Sequence, residues 1–297
     1  MANPPLREEN PYGRSESDVR PPPTTLLAQL RFLGPSFVLI GSIVGSGELI
    51  LTTSYGATMG FAALWFLLVS CVSRVIFQAE LGRYTISTGE TALQAFDRVP
   101  GPRWHMSWLM WLWVAWQIPS LLTGGGILGG VGRTLSAAFG GNDRAWAVLV
   151  AVGTIAILLH GRYRLIERIA TWMVVSFSLI TIVCAALLQR TEYAIRPEQL
   201  AEAFRFAAPW TNASEAALAL ATFAGTGVGG GELMAYTYWC LEKGYARYAG
   251  PPSNDPAWID RARGWIRVMH LDVTLCMVIF TLATVAFFAL GAGILHR

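Results

Sequence analysis

Apolar residues run along this chain in blocks too long for strands and without the wide polar face of a surface helix. Seven blocks are long enough to cross about 30 Å of hydrocarbon as helices. They fall at 34–59, 61–81, 106–139, 145–160, 165–188, 214–241 and 269–295. The third is overlong and contains Gly124-Gly125-Gly126, which predicts a strong tilt or a kink. Two blocks are interrupted more sharply. Gly41-Ser42-Ile43-Val44-Gly45-Ser46-Gly47-Glu48-Leu49-Ile50 in the first returns in the sixth as Gly225-Thr226-Gly227-Val228-Gly229-Gly230-Gly231-Glu232-Leu233-Met234. Each copy sets glycines, which weaken a helix by about 1 kcal/mol apiece relative to alanine, directly before one carboxylate. A broken helix at membrane depth persists only where its freed backbone groups face protein or a cavity. Matched breaks in two halves of a chain point to a transporter's binding site.

The basic residues orient the chain. With the N-terminus cytoplasmic, fifteen of the 22 lysines and arginines fall on the cytoplasmic side, six fall outside, and Arg74 lies within the second block. The first block then runs outward and the sixth inward, which makes the two copies an inverted-topology repeat with five spans per unit. The expected organisation is a disordered, proline-rich cytoplasmic tail (1–25), a first five-span repeat (26–190), an external loop (191–213) and an incomplete second repeat (214–297). Within the last, residues 242–268 read as a cytoplasmic loop with a short surface helix around 258–265. Only two of five spans are present in the second unit, so three C-terminal spans are expected to be missing. The tail has no apolar core of a signal peptide.

Composition narrows the class. The chain is 54% apolar and 14% charged with 12 tryptophans, which describes a multi-pass helical membrane protein, its partner the lipid bilayer. A net charge of +3 gives no footprint for nucleic acid. Four cysteines lie far apart without metal or disulfide spacing. No nucleophile–base arrangement or phosphate loop is visible, so the chain reads as a non-enzyme without a cofactor.

Glu48 and Glu232 are the carboxylates expected near mid-membrane, the other acidic residues, Asp272 among them, falling at block ends or in loops. A charge there costs roughly 2.5–3.5 kcal/mol on insertion scales. One reading offsets this with a shared cation site: Glu48 and Glu232 as metal ligands, with the backbone of Val44, Gly45, Ser46 and Gly47 and of Val228, Gly229, Gly230 and Gly231. Such an all-oxygen cage suits Mg²⁺, Ca²⁺ or Mn²⁺. Alternatively one glutamate is protonated and the pair carries a proton. The structural reading has each glutamate capping the half-helix it begins. A third gives the glycine backbone to the carboxylate of a small organic zwitterion. Gln117 and Thr123 are candidate lining residues, while the tryptophans of 104–116 read as an interfacial belt.

The residues Gly34-Pro35-Ser36-Phe37, then Gly56 and Gly60-Phe61, then Arg83 through Gly89, with Asp272, resemble the Nramp family of divalent-metal transporters. The resemblance implies the LeuT-type 5+5 inverted-repeat fold with discontinuous first and sixth helices, in an all-α membrane protein. It also implies secondary transport of a divalent metal cation by alternating access, in a bacterial inner membrane. The motifs depart from the family's. Its Asp-Pro-Gly-Asn falls on Gly45-Ser46-Gly47-Glu48 and its Met-Pro-His on Gly229-Gly230-Gly231, so the usual carboxylate and thioether metal ligands are replaced. Its acidic proton-coupling positions fall on Gln117, Gly124 and Ile127. An amino-acid-like solute as substrate, and an inactive remnant or scaffold, are the alternatives.

Overall fold

In hydrocarbon a backbone satisfies its N–H and C=O groups within its own segment, and the apolar blocks are accordingly helical. The computed structural model describes the backbone of residues 12–36, 38–39, 48–160, 163–206, 210–227 and 229–296; the side chains at 48, 160, 163, 164, 166, 167, 170, 171 and 174 lie outside that description. A wide helical turn, Glu48–Thr52, runs into helix Thr53–Met59. Gly60, at φ +62°, turns the chain into the second helix, Leu64–Thr88, which Gly89 closes in the left-handed region. After the short helix Ala92–Asp97 and a pair of two-residue strands, Arg103–Trp104 and Met106–Ser107, come helices Trp108–Phe139, Asp143–His160 and Tyr163–Leu188. The sixth block is two helices, Ala213–Gly225 and Gly230–Lys243. After Tyr245–Ala249, the last helix runs Pro256–Leu290 and continues as a wide turn to Leu295. Residues 61–88 and 256–295 are each long and apolar enough to cross a bilayer, and Trp108–Phe139 and Asp143–Leu159 pass as a pair bent by 118°.

The last helix is the spine. Trp265, fully buried, packs with Tyr236, Tyr245 and Met269, and further along Phe288 packs with Tyr55 and Phe61. Two glycines let this helix cross Thr53–Met59 at backbone distance. A Cβ on Gly56 would strike the Phe288 carbonyl, and one on Gly291 would strike the Thr53 carbonyl. Small residues at such crossings let helices pack closely in membranes.

Three expectations are corrected. Gly124-Gly125-Gly126 does not interrupt the third block, because Trp108–Phe139 is one helix of 32 residues. With no water to take over the backbone hydrogen bonds, a glycine's intrinsic cost is too small to open a helix in lipid. The surface helix expected around 258–265 is the first part of the 35-residue helix Pro256–Leu290, started by Asp255 as cap and Pro256 at its first position. The supposed loop 242–268 therefore shrinks to a few residues after Ala249.

The third correction concerns the tail. Residues 12–25 are docked rather than disordered. Trp265 Nε1 donates to the Arg20 carbonyl at 3.0 Å, and Arg20 N to the Tyr248 carbonyl at 3.0 Å. Arg14 donates to the carbonyls of Ile86 (3.2 Å), Ser87 (3.2 Å) and Gly250 (3.3 Å), so it ties the second helix's C-terminus to the turn before the last helix. The Tyr12 hydroxyl donates to Glu242 at 2.8 Å. Burial, then that hydrogen bond, pushes the phenol up to about 12, which keeps it a neutral donor.

Candidate ion site at the helix break

The glycine run of the sixth block ends one helix and begins another. Thr226 leaves helical geometry, Gly227 takes φ +74°, and Gly229 is extended as the N-cap of the second half-helix. The first half-helix is left with carbonyls its own backbone cannot reach. Phe223 O accepts from Ser70 Oγ at 2.9 Å and from Arg74 Nη2 at 2.7 Å, and Ala224 O accepts from Arg74 Nη2 at 2.8 Å. Both donors come from the second helix. Gly227 leaves room for the arginine: a Cβ there would lie 3.2 Å from Arg74 Cδ.

Across the break, Glu232 stands in the first turn of the second half-helix, where a negative charge is favoured by the helix dipole. Its carboxylate folds back over the cap residue, so that a Cβ on Gly229 would strike Glu232 Oε2. Gly230 and Gly231 have open space where a Cβ would be, so nothing among the described residues requires them for packing. Gly225 is different. A Cβ there would strike Leu51, three residues beyond Glu48, so the turn Glu48–Thr52 lies against the end of helix Ala213–Gly225.

The other predicted positions divide. Val44, Gly45, Ser46, Gly47 and Val228 lie outside the described residues, as does the Glu48 side chain, whose backbone opens the turn Glu48–Thr52. Gly230 and Met234 face an apolar cavity of about 570 Å³ walled by Leu112, Trp113, Trp116 and Pro119 of helix Trp108–Phe139. On that helix Gln117 Oε1 is shielded from solvent and makes no hydrogen bond among the described residues. Thr123 is exposed, and its hydroxyl donates to the Pro119 carbonyl of its own helix at 3.1 Å, so it is not brought to the break. Among the described residues no three His, Cys, Asp or Glu side chains gather as metal ligands.

Two functional-looking groups were not legible as such. Arg74 counted only as a basic residue within a block; an arginine deep in an apolar run without an evident partner was the signal for it. Asp272, expected at a block end, is fully buried inside the last helix. Its two oxygens accept from Gly34 N and Ser36 N, each at 2.9 Å, and Gln78 donates to Ser36 Oγ at 3.0 Å. Asp272 therefore caps the start of the first block from across the bundle.

A polytopic helical bundle with a discontinuous sixth helix is of the LeuT type, the fold of a class of membrane transporters. The family profile "Natural resistance-associated macrophage protein-like" matches residues 36–297, and the chain belongs to this family, Nramp. Solved structures of a manganese transporter from Eremococcus coleocola have the same fold at 14% identity. The form in complex with an aromatic bis-isothiourea compound superposes with a TM-score of 0.73, and a histidine-to-alanine mutant with 0.72. Each alignment covers 95% of this chain and 56% of that one, so the chain spans little more than half the length of the transporter it matches. A search of curated proteins finds no match.

Proposed function

We propose that the protein moves a divalent metal cation across a membrane by alternating access, with the paired helix breaks as the ion site. The observation that carries this reading is the contact of Leu51, just past the first copy, with Gly225, the first residue of the second. In the proposal Glu48 and Glu232 serve one site from the two repeats, and the approach of Leu51 to Gly225 supports it. Family membership and the manganese-transporting relative support a metal substrate. Oxygen donors alone, two carboxylates and backbone carbonyls around Val44, Gly45 and Val228, favour a hard cation such as Mg²⁺, Mn²⁺ or Ca²⁺. Glu232's position over Gly229 also disfavours an organic zwitterion, because the half-helix N-terminus that would hold a substrate carboxylate already has one. In this reading the N-terminal segment is cytoplasmic and the membrane is a bacterial inner membrane.

Capping by Glu232 is the competing role, and one experiment separates them. Thermal unfolding of the purified protein is followed against Mg²⁺, Mn²⁺ and Ca²⁺, with Mn²⁺ uptake into proteoliposomes alongside. A ligand bound only by the folded state raises the midpoint as its concentration passes Kd. A saturable divalent shift and uptake, both lost in Glu48→Gln and Glu232→Gln, are expected. A divalent response unchanged in both variants leaves the glutamates as caps and sinks the site.

A further inference from the structure

The divalent-cation site makes no use of Arg74, yet that guanidinium sits at the break. Nη2 holds the carbonyls of Phe223 and Ala224, the end of a half-helix that carries roughly half a negative charge. Ser70 Oγ, on the same helix face as Arg74, adds a hydroxyl at the Phe223 carbonyl. In broken-helix transporters, half-helix C-terminal carbonyls are where a coupling Na⁺ is coordinated. Carbonyl and hydroxyl oxygens are the ligands such a hard cation takes. The chain fills that position with a cation of its own. Each half of the break then carries the charge that opposes its dipole, Arg74 at the carbonyl end and Glu232 at the N–H end.

We propose that Arg74 is a tethered cation standing in for a bound Na⁺ at the sixth-helix break, so that the fold satisfies this end of the break without sodium. A guanidinium cannot lose its proton or diffuse away, so the position is permanently occupied. The consequence for flux rests on the transport reading: divalent uptake does not depend on Na⁺. The occupancy itself does not rest on it and is read separately.

The test is thermal unfolding of the purified protein in NaCl and in N-methyl-D-glucamine chloride at equal ionic strength. Wild type, Arg74→Lys, Arg74→Ala and Ser70→Ala/Arg74→Ala are compared. Wild type and Arg74→Lys should unfold at the same midpoint in both salts. Arg74→Ala should unfold earlier in the organic salt and recover saturably as Na⁺ is added, and the double variant should need several-fold more Na⁺. A role confined to capping the half-helix would lower the midpoint equally in both salts. Sodium stabilisation of wild type, or a folded Arg74→Ala indifferent to Na⁺, overturns the proposal. If Arg74→Ala is recovered folded only from Na⁺-containing buffer, that supports it, and failure to fold in either salt counts against it. Absence of Mn²⁺ uptake by wild type, with the Na⁺ response of Arg74→Ala intact, would remove the transport reading and leave the tethered cation standing.

Discussion

A carboxylate without solvent has to be met by donors, and Asp272 is met by two backbone N–H groups at the start of a helix 236 residues away in sequence. Neither partner announces this. Gly34 and Ser36 look like an ordinary block entrance, and Asp272 looks like the first polar residue of a span. Only the packing of the last helix against the first block makes it a cap. Asp272→Ala should orphan both donors and lower stability by roughly 1–3 kcal/mol for each, measured as the loss in unfolding midpoint. Asp272→Asn keeps one acceptor oxygen and should lose less. An unchanged midpoint in Asp272→Ala would show that the cap has no energetic weight. Glu232 is the opposite case at this scale. Its place after three glycines marked a half-helix N-terminus in the sequence, and the structure keeps it there.

At the scale of elements, hydropathy located the helices, but it did not rank the glycines. Gly56 and Gly126 are both glycines in apolar helices, and they differ only in what stands beyond them. Gly56 faces the Phe288 carbonyl across the crossing with the last helix, whereas Gly126 faces open space among the described residues. Gly56→Ala should therefore force the two helices apart at a cost of about 1–3 kcal/mol. Gly126→Ala should be neutral or stabilise by up to about 1 kcal/mol through helix propensity. Unfolding midpoints of the two variants compare them directly, and similar values would mean that the crossing is not close. The same distinction explains the third block. Glycines in an apolar run leave the helix intact where nothing claims the backbone, and in the sixth block, where Arg74 and Ser70 take the carbonyls of Phe223 and Ala224, the first half-helix ends at Gly225.

For the molecule as a whole, the N-terminal segment is the part whose fate sequence reasoning misjudged. Proline and charge in residues 12–25 read as disorder because neither periodicity nor apolar content marks an element there. Their partners are carbonyls at the ends of other helices, the Glu242 carboxylate and the Trp265 indole, and these pairings have no signature in sequence. Arg14 alone joins Ile86, Ser87 and Gly250, all at the end of the bundle where the second helix finishes. Arg14→Ala should raise hydrogen exchange around 86–89 and 247–250 while leaving the core around Phe288 unchanged. Exchange unaltered at both places would mean that the segment only lies on the surface.

Hydrophobic block length by itself determined that this is a membrane bundle, since twenty or more apolar residues leave water only by forming a helix within lipid. The repeated glycine–glutamate stretch likewise pointed to the break in the sixth block, because a carboxylate directly after glycines suits a half-helix N-terminus. What only the tertiary structure decided is who answers the groups that those breaks and ends release. Arg74 and Ser70 reach Phe223 across some 150 positions of sequence, and Asp272 reaches Gly34 from 238 away. Such pairings are set by the way packed helices bring distant residues to hydrogen-bonding distance, and no local pattern encodes that.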